Sequence, residues 1–401
     1  MNSYDLIIIG GGPGGMSSAL YAGRAKLKTL LIEKSTYGGR IKDTSKIINF
    51  PSIKKASGQQ LSTLFKEQLN NFNSIEFLKT TVTNVEKKDD TFIISTKRKG
   101  NFYSKTVIIA TGTSPKILNI EGEQEFTGNG VAYCATCDAE FFKDQEVFVL
   151  GAGDQAIEES MFISKFAKKV TIIVIHEEGK LDCNELAKNQ VFKNKKIDFI
   201  WNSTVNKING TNTVESIDIL NIKTNKITNH KTNGLFSFVG TIPNTNLIKN
   251  LVNTTNSGYI IVNEKKETSL QGIYAVGDCT NNYLKQVITA CSDGAIAATA
   301  AERFITEQSI INKELSQNNI ILFAFYNPYN NICIKNLSTL EKNISNINIT
   351  KIDISKQDYL YKKLNLNNDF NIVLYKNQNI IFKLEKNILE EYDLYELKKL
   401  L

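Results

Sequence analysis

Near its start the chain has an unbroken apolar run, Leu6-Ile7-Ile8-Ile9, which ends in glycines and passes into a small-residue segment over 16–25. A short apolar run bounded by turn residues reads as a buried strand, here over 4–9, and the segment after it as a helix. A second buried strand is predicted over 29–32, a helix over 59–71, and an alternating strand pair over 80–86 and 91–97 with Asp89-Asp90 in the turn. Another apolar strand, 106–109, closes on Ala110-Thr111-Gly112, small residues that let backbone lie close to a bound cofactor. The pattern then recurs as strand 146–150, a glycine turn, helix 157–166 and strand 169–175. Pro115 and Pro243 bracket this internal repeat, so one dinucleotide-type domain reads as inserted into another.

After Pro243 the chain returns to an apolar strand ending in Gly277-Asp278, and an Ala- and Gly-rich helix is predicted over 286–304. A polar connector over 306–318 leads into a small tail. There the pattern predicts strand 319–326, helix 334–343, strand 347–354, strands 372–376 and 379–384 about an Asn377-Gln378 turn, and helix 389–400. The expected fold class is α/β, with two Rossmann-like domains, the second inserted in the first, plus a small C-terminal α/β module. The expected boundaries are 1–114 and 244–306 for the two parts of the outer domain, 115–243 for the insert, 307–318 for a linker and 319–401 for the tail.

With 41% apolar residues in 401, the chain can fill several cores. Its 48 basic and 41 acidic residues give +7, but the lysines are spread without dense blocks, which argues for a solvated surface and against nucleic-acid binding. Six cysteines in so long a chain do not make a disulfide scaffold. No apolar run approaches the roughly 20 residues of a membrane helix. No basic segment and cleavage site precede the first strand, so a cytoplasmic location and no membrane partner are expected.

Three glycine-centred stretches carry candidate chemistry. In Gly10-Gly11-Gly12-Pro13-Gly14-Gly15, Gly10 permits a tight turn, Gly12 lets backbone approach a pyrophosphate, and Gly15 allows close helix packing; the pyrophosphate would sit on the helix N-terminus. Glu33, at the end of the second strand, can accept from ribose hydroxyls. In the insert, Gly151, Gly153 and Ala156 stand in the same frame. Gly277-Asp278 presents a carboxylate suited to a ribityl hydroxyl. The helix beginning at Gln286 and Val287 can point its positive end at a flavin ring carbonyl.

Between the nucleotide motifs lies Cys134-Ala135-Thr136-Cys137-Asp138. Two thiols at this spacing can close a small disulfide ring and exchange two electrons. The bland alternative is half of a zinc site, but such a site needs about four ligands, and Cys183, Cys279, Cys291, Cys333, His176 and His230 form no second close pair. No metal is expected. Asp138 is either a helix cap or, with both histidines elsewhere in the chain, the nearest proton carrier to the thiols.

Taken together, Gly10 to Gly15, Ala110-Thr111-Gly112, the Cys-Ala-Thr-Cys-Asp segment, Gly151 to Ala156 and Gly277-Asp278 stand in the order and spacing of the low-molecular-weight thioredoxin reductases, which residues 4–306 resemble. The resemblance implies an outer domain binding FAD, an insert binding NADH or NADPH, a homodimer, and thioredoxin or a similar small redox protein as partner. It also implies that Cys137 faces the flavin, that Cys134 attacks the partner, that Asp138 is the general acid, and that 113–116 and 241–244 are hinges on which the insert swings.

Two stretches depart from that family. Members using NADPH carry a His-Arg-Arg segment after the second strand of the insert, since a 2'-phosphate needs cations; aligned on Val170-Thr171-Ile172-Ile173, this chain has Val174-Ile175-His176 there, with Lys180 as one remnant, Val174 where an NAD-type acid would stand, and Glu177-Glu178 a little late. The donor is therefore NADH or NADPH, with ferredoxin as the rival. The tail resembles a thioredoxin fold whose active pair is reduced to Asn330-Asn331-Ile332-Cys333, with Phe370 in place of the cis-proline. It reads as a docking or dimer module, or as a monothiol relay through Cys333. Against the reductase reading stand two others, a flavin-dependent dithiol oxidase and a flavin-loaded binding protein whose tail recruits a partner.

Overall fold

The computed structural model describes residues 2–44 and 47–401. Two compact units are present, Met1–Ala300 and Ala301–Leu401.

The first unit contains two sheets built around parallel strands. In one, Ser3–Ile9 lies between Thr29–Glu33 and Gly100–Ile109, parallel to both, with Ile9 level with Ile32 and Ile109. Ile75–Lys79 extends this sheet on one side. On the other, Ile273–Ala275 returns from far along the chain to pair with Gly100–Ile109. An antiparallel pair, Val82–Lys88 and Thr91–Thr96, completes it. Residues 6–9 and 29–32 are continuous β-branched and leucine runs because both sheet faces are covered there: Leu6, Ile7, Ile8, Leu31 and Ile32 are at most 1% exposed.

The other parallel sheet runs Ile197–Ile200, Lys169–Ile173, Glu146–Leu150, Gly234–Ser237 and Val131–Ala132. Its strand–turn–helix unit passes through Asp154–Ile163, and the helix buries Ala156, Ile157 and Ile163 against Val149, Val170 and Ile172. A three-stranded antiparallel sheet, Ser203–Gly210, Val214–Asn221 and Ile227–Lys231, packs nearby through Val205, Ile217 and Ile219. The segments Thr113–Pro115 and Thr241–Pro243 pair antiparallel as a two-stranded ribbon.

The helix expected over 286–304 runs instead as Val287–Gln317, which corrects the reading of 307–318 as a linker. Within the second unit, Ile311 joins the cluster with Ile321 and Phe323, Phe304 meets Tyr359 edge-on at 5.0 Å, and Glu307 accepts from the Tyr359 amide at 3.0 Å. The stretch contains no Gly or Pro to stop a helix. Its polar composition conceals one buried stripe.

The rest of the second unit is a four-stranded sheet in the order Ile349–Asp353, Ile320–Tyr326, Phe370–Lys376, Asn379–Glu385. The first pair is parallel and the others are antiparallel. Helix Asn331–Asn343 packs Leu337 and Leu340 with Leu394 and Leu397 of helix Glu391–Leu400 and with Leu322 of the sheet.

Candidate functional site

The first glycine turn follows Ile9 directly. A Cβ on Gly10, whose φ is +111°, would lie 2.2 Å from the Ala110 carbonyl oxygen, and one on Gly15 would lie 1.9 Å from that of Gly10. Packing therefore requires glycine at both positions. A Cβ on Gly12 would meet nothing within 4 Å, so this backbone faces open space at the start of helix Pro13–Arg24, the place for a diphosphate. Glu33 is buried at the strand end beside it. Its Oε2 accepts from the Gly11 amide at 2.7 Å and its Oε1 from the Ser35 amide at 2.9 Å, which fixes the carboxylate.

Ala110-Thr111-Gly112 is clipped in place by Asn244. The Thr111 hydroxyl donates to the Asn244 carbonyl at 2.7 Å, the Asn244 side-chain amide donates to the Thr111 carbonyl at 3.1 Å, and its backbone amide donates to the Gly112 carbonyl. The two ends of the ribbon are thereby tied to the Ala110-Thr111-Gly112 turn.

Gly277, with φ +71°, turns the chain at the end of strand Ile273–Ala275 so that Asp278 faces the cleft. Burial raises the Asp278 pKa, while Lys285 and Arg40 oppose that rise. Lys285 donates to the carbonyls of Thr280 and Asn282, and its own burial lowers its ammonium pKa. Gln286 accepts from the Asn49 side chain at 3.1 Å, and the Arg40 guanidinium donates to the Thr113 hydroxyl at 3.1 Å.

Cys134 and Cys137 are disulfide-bonded, their Cα atoms 5.4 Å apart. Cys134 caps the short helix Ala135–Asp138, its Sγ accepting from the Cys137 amide at 3.2 Å. Cys134 is half-buried, Cys137 is exposed, and Asp138 is half-buried with its carboxyl pKa raised by burial. Burial thus favours the protonated carboxyl, the direction a proton donor beside a dithiol needs.

One cleft of about 1000 Å³ is lined by Gly12, Glu33, Arg40, Thr111, Asp278 and Gln286, and also by Cys134, Cys137 and Asp138. The structure thus brings the dithiol to the same space as the first glycine turn and the Gly277 turn. Open backbone at Gly12, a fixed acid at Glu33 and a cleft at the upper end of ligand-pocket volumes fit an FAD. Asp154 of the second glycine turn reaches the same cleft, while Gly151 packs against the Phe238 carbonyl and Gly153 stays open. Ala156 is fully buried where the first turn has Gly15.

Residue patterning alone passed over Arg40, Asn49, Lys285 and the structural role of Asn244. The signal for Arg40 was present: it is an arginine beside Gly38-Gly39 in a chain that uses lysine almost everywhere. Asn49 and Asn244 act through contacts across more than a hundred residues, which no local pattern reports. In the tail, Cys333 is 0% exposed inside the core cluster and burial raises its pKa; such a thiol does not present a thiolate to a partner. Among the described residues no group of His, Cys, Asp and Glu could hold a metal ion, and no helix is long and apolar enough to cross a membrane.

Residues 4–294 match the family described as pyridine nucleotide-disulphide oxidoreductase. The chain is 42% identical to the thioredoxin reductase of Peptoclostridium acidaminophilum over 311 residues, 76% of this chain and 98% of that protein. To the thioredoxin reductase of Bacillus subtilis (strain 168) it is 37% identical over 305 residues, 76% and 95% of the two chains. In structure it is similar to Lactococcus lactis thioredoxin reductase in its FR conformation, with TM-score 0.74, 38% identity and coverage of 76% of this chain and 99% of the other. It is also similar to the thioredoxin reductase of T. acidophilum, with TM-score 0.72, 31% identity and coverage of 77% and 100%. The chain belongs to the pyridine nucleotide-disulphide oxidoreductases and, within them, to the thioredoxin reductase family.

Proposed function

We propose that the chain is a flavin-dependent disulfide reductase that passes electrons from a reduced nicotinamide through FAD and the Cys134–Cys137 pair to thioredoxin. The observation that carries this reading is the single cleft shared by the dithiol and the dinucleotide turns. When bound, FAD accepts two electrons as a hydride and returns them as a pair. The chain's residues do the rest. Gly12 and the helix start hold the diphosphate, Glu33 a ribose, and Asp278 a ribityl hydroxyl.

Two electrons arriving at the disulfide break its S–S bond and leave two sulfur atoms that need one proton between them to give a thiol and a thiolate. Asp138 supplies that proton and recovers it from water. The Cys134 thiolate attacks a sulfur of the partner disulfide, giving a mixed disulfide and a partner thiolate. Cys137 then attacks Cys134, which restores the pair and releases the second partner thiol.

In this reading 1–114 and 244–306 form the FAD domain, 115–243 the insert and the ribbon its hinge. The return of Ile273–Ala275 to the first sheet and the separate sheet of the insert support it. The tail is a thioredoxin-like module that docks a partner or a second copy in a homodimer; its strand order supports the fold and the burial of Cys333 supports docking over relay. The site of action is the cytoplasm.

Anaerobic titration of the FAD-loaded protein with NADH, NADPH and reduced ferredoxin, followed by added thioredoxin, tests the whole sequence. A nicotinamide is expected to bleach the flavin band, and thioredoxin thiols are expected to appear. A Cys137→Ser protein that still reduces thioredoxin at full rate overturns the reading.

A further inference from the structure

In a strand–glycine turn–helix–strand unit, the segment after the second strand reads the adenosine ribose. An acid there accepts from a free 2'-hydroxyl, whereas a 2'-phosphate is accommodated by an arginine. In the insert that segment follows strand Lys169–Ile173. It folds back onto the glycine turn: the Asp182 amide donates to the Ala152 carbonyl at 2.9 Å, and the Asn184 amide donates to Asp154 Oδ1 at 2.6 Å. The loop closes on itself through His176 and Asp182 at 2.6 Å. It therefore borders the turn on which a dinucleotide would lie.

The loop's charges are mostly negative. Glu177, Glu178 and Asp182 lie within it, and Asp154 stands at the glycine turn itself. The chain's arginines are Arg24, Arg40, Arg98 and Arg303, none of them in the insert. The nearby cations are already engaged, Lys223 lying 2.8 Å from Glu177 Oε1 and Lys180 lying 3.4 Å from its Oε2. A dianionic phosphate entering here would meet two carboxylates and would have to draw both lysines away from Glu177.

We propose that the insert selects the unphosphorylated dinucleotide, NADH over NADPH, because the loop bordering its glycine turn carries Glu177 and Glu178 but no arginine, and commits Lys180 and Lys223 to Glu177. This rests on the reading of the insert as the nicotinamide-binding domain. It refines that reading to one donor.

Redox-inert fragments separate recognition from turnover. Calorimetric titration of the FAD-loaded full chain with ADP-ribose and with 2'-phospho-ADP-ribose is expected to show the unphosphorylated fragment binding about tenfold more tightly, a gap of roughly 1.4 kcal/mol. The gap should narrow as salt is raised, since the repulsion is between exposed charges. In a Glu177→Arg/Glu178→Arg variant, or in Glu178→Arg alone, the preference should shift toward the phosphorylated fragment. Both side chains are exposed, so an unchanged thermal melt is expected to certify the fold. Equal or tighter binding of 2'-phospho-ADP-ribose by the unaltered chain overturns the proposal and leaves the reductase reading standing. Binding of neither fragment overturns it too; dithionite-reduced protein that still transfers electrons to thioredoxin would then separate this failure from failure of the disulfide chemistry.

Discussion

The Gly277 amide donates to Asp293 Oδ2 at 3.0 Å, so the turn that aims Asp278 into the cleft is held by a carboxylate on the following helix. Asp293 also pairs with Lys266 at 2.8 Å, both side chains largely buried, and accepts from the Asn282 side chain. Asp293→Ala leaves the Lys266 ammonium without its counter-charge, a loss of about 3–5 kcal/mol for a broken buried pair. Expected are a lowered melting temperature and faster release of fluorescent FAD on dilution. Asp293→Asn keeps an acceptor for Gly277 and should lose less of both.

Gly10 and Gly12 should fail in different ways. Gly10→Val forces a side chain into the Ala110 carbonyl at a positive φ, and misfolded protein is expected. Gly12→Val enters open space at φ −76°, so the chain should fold with an apo-protein melt like the parent's and yet purify colourless. Circular dichroism and the flavin absorbance separate the two outcomes.

Asp138 makes a prediction about pH. Burial raises its carboxyl pKa, so the protonated form favours the folded state. That contribution is fully present below the unfolded value of about 3.9 and is lost as pH rises through the folded value. Above that window the ionised group weighs against the fold. Asp138→Asn should therefore be at least as stable as the parent at neutral pH. Its reductase turnover should be about 10²- to 10⁴-fold slower, and the decline in rate that accompanies ionisation of this carboxyl should disappear from the pH profile.

Cys333→Ser should leave thioredoxin reduction unchanged, because the thiol is enclosed by Leu322, Leu337 and Phe370. The buried hydroxyl should cost the tail about 1–3 kcal/mol if it finds no partner. A fall in turnover without a change in melting would instead restore the relay.

The parallel strands and both glycine turns were legible in the chain because each depends on local pattern: an apolar run, a glycine where a Cβ cannot fit, and a helix of small residues. The dithiol segment was legible for the same reason. Asn244 and Asp293 were not. One closes a turn 133 positions away, the other props a turn from the next helix, and neither sits in a distinctive local pattern. The extension of helix Val287–Gln317 was missed because its buried side mixes Ile311 and Leu315 with buried Glu307 and Gln308, so the apolar stripe is broken by polar residues.

The ribbon of Thr113–Pro115 and Thr241–Pro243 means that the polypeptide enters and leaves the insert through adjacent, mutually hydrogen-bonded segments. A stretch of chain whose two ends already touch behaves as a cassette: it can be excised and the cut closed by a tight turn, or exchanged for a lobe carrying a different electron source, without stretching the backbone of the host domain.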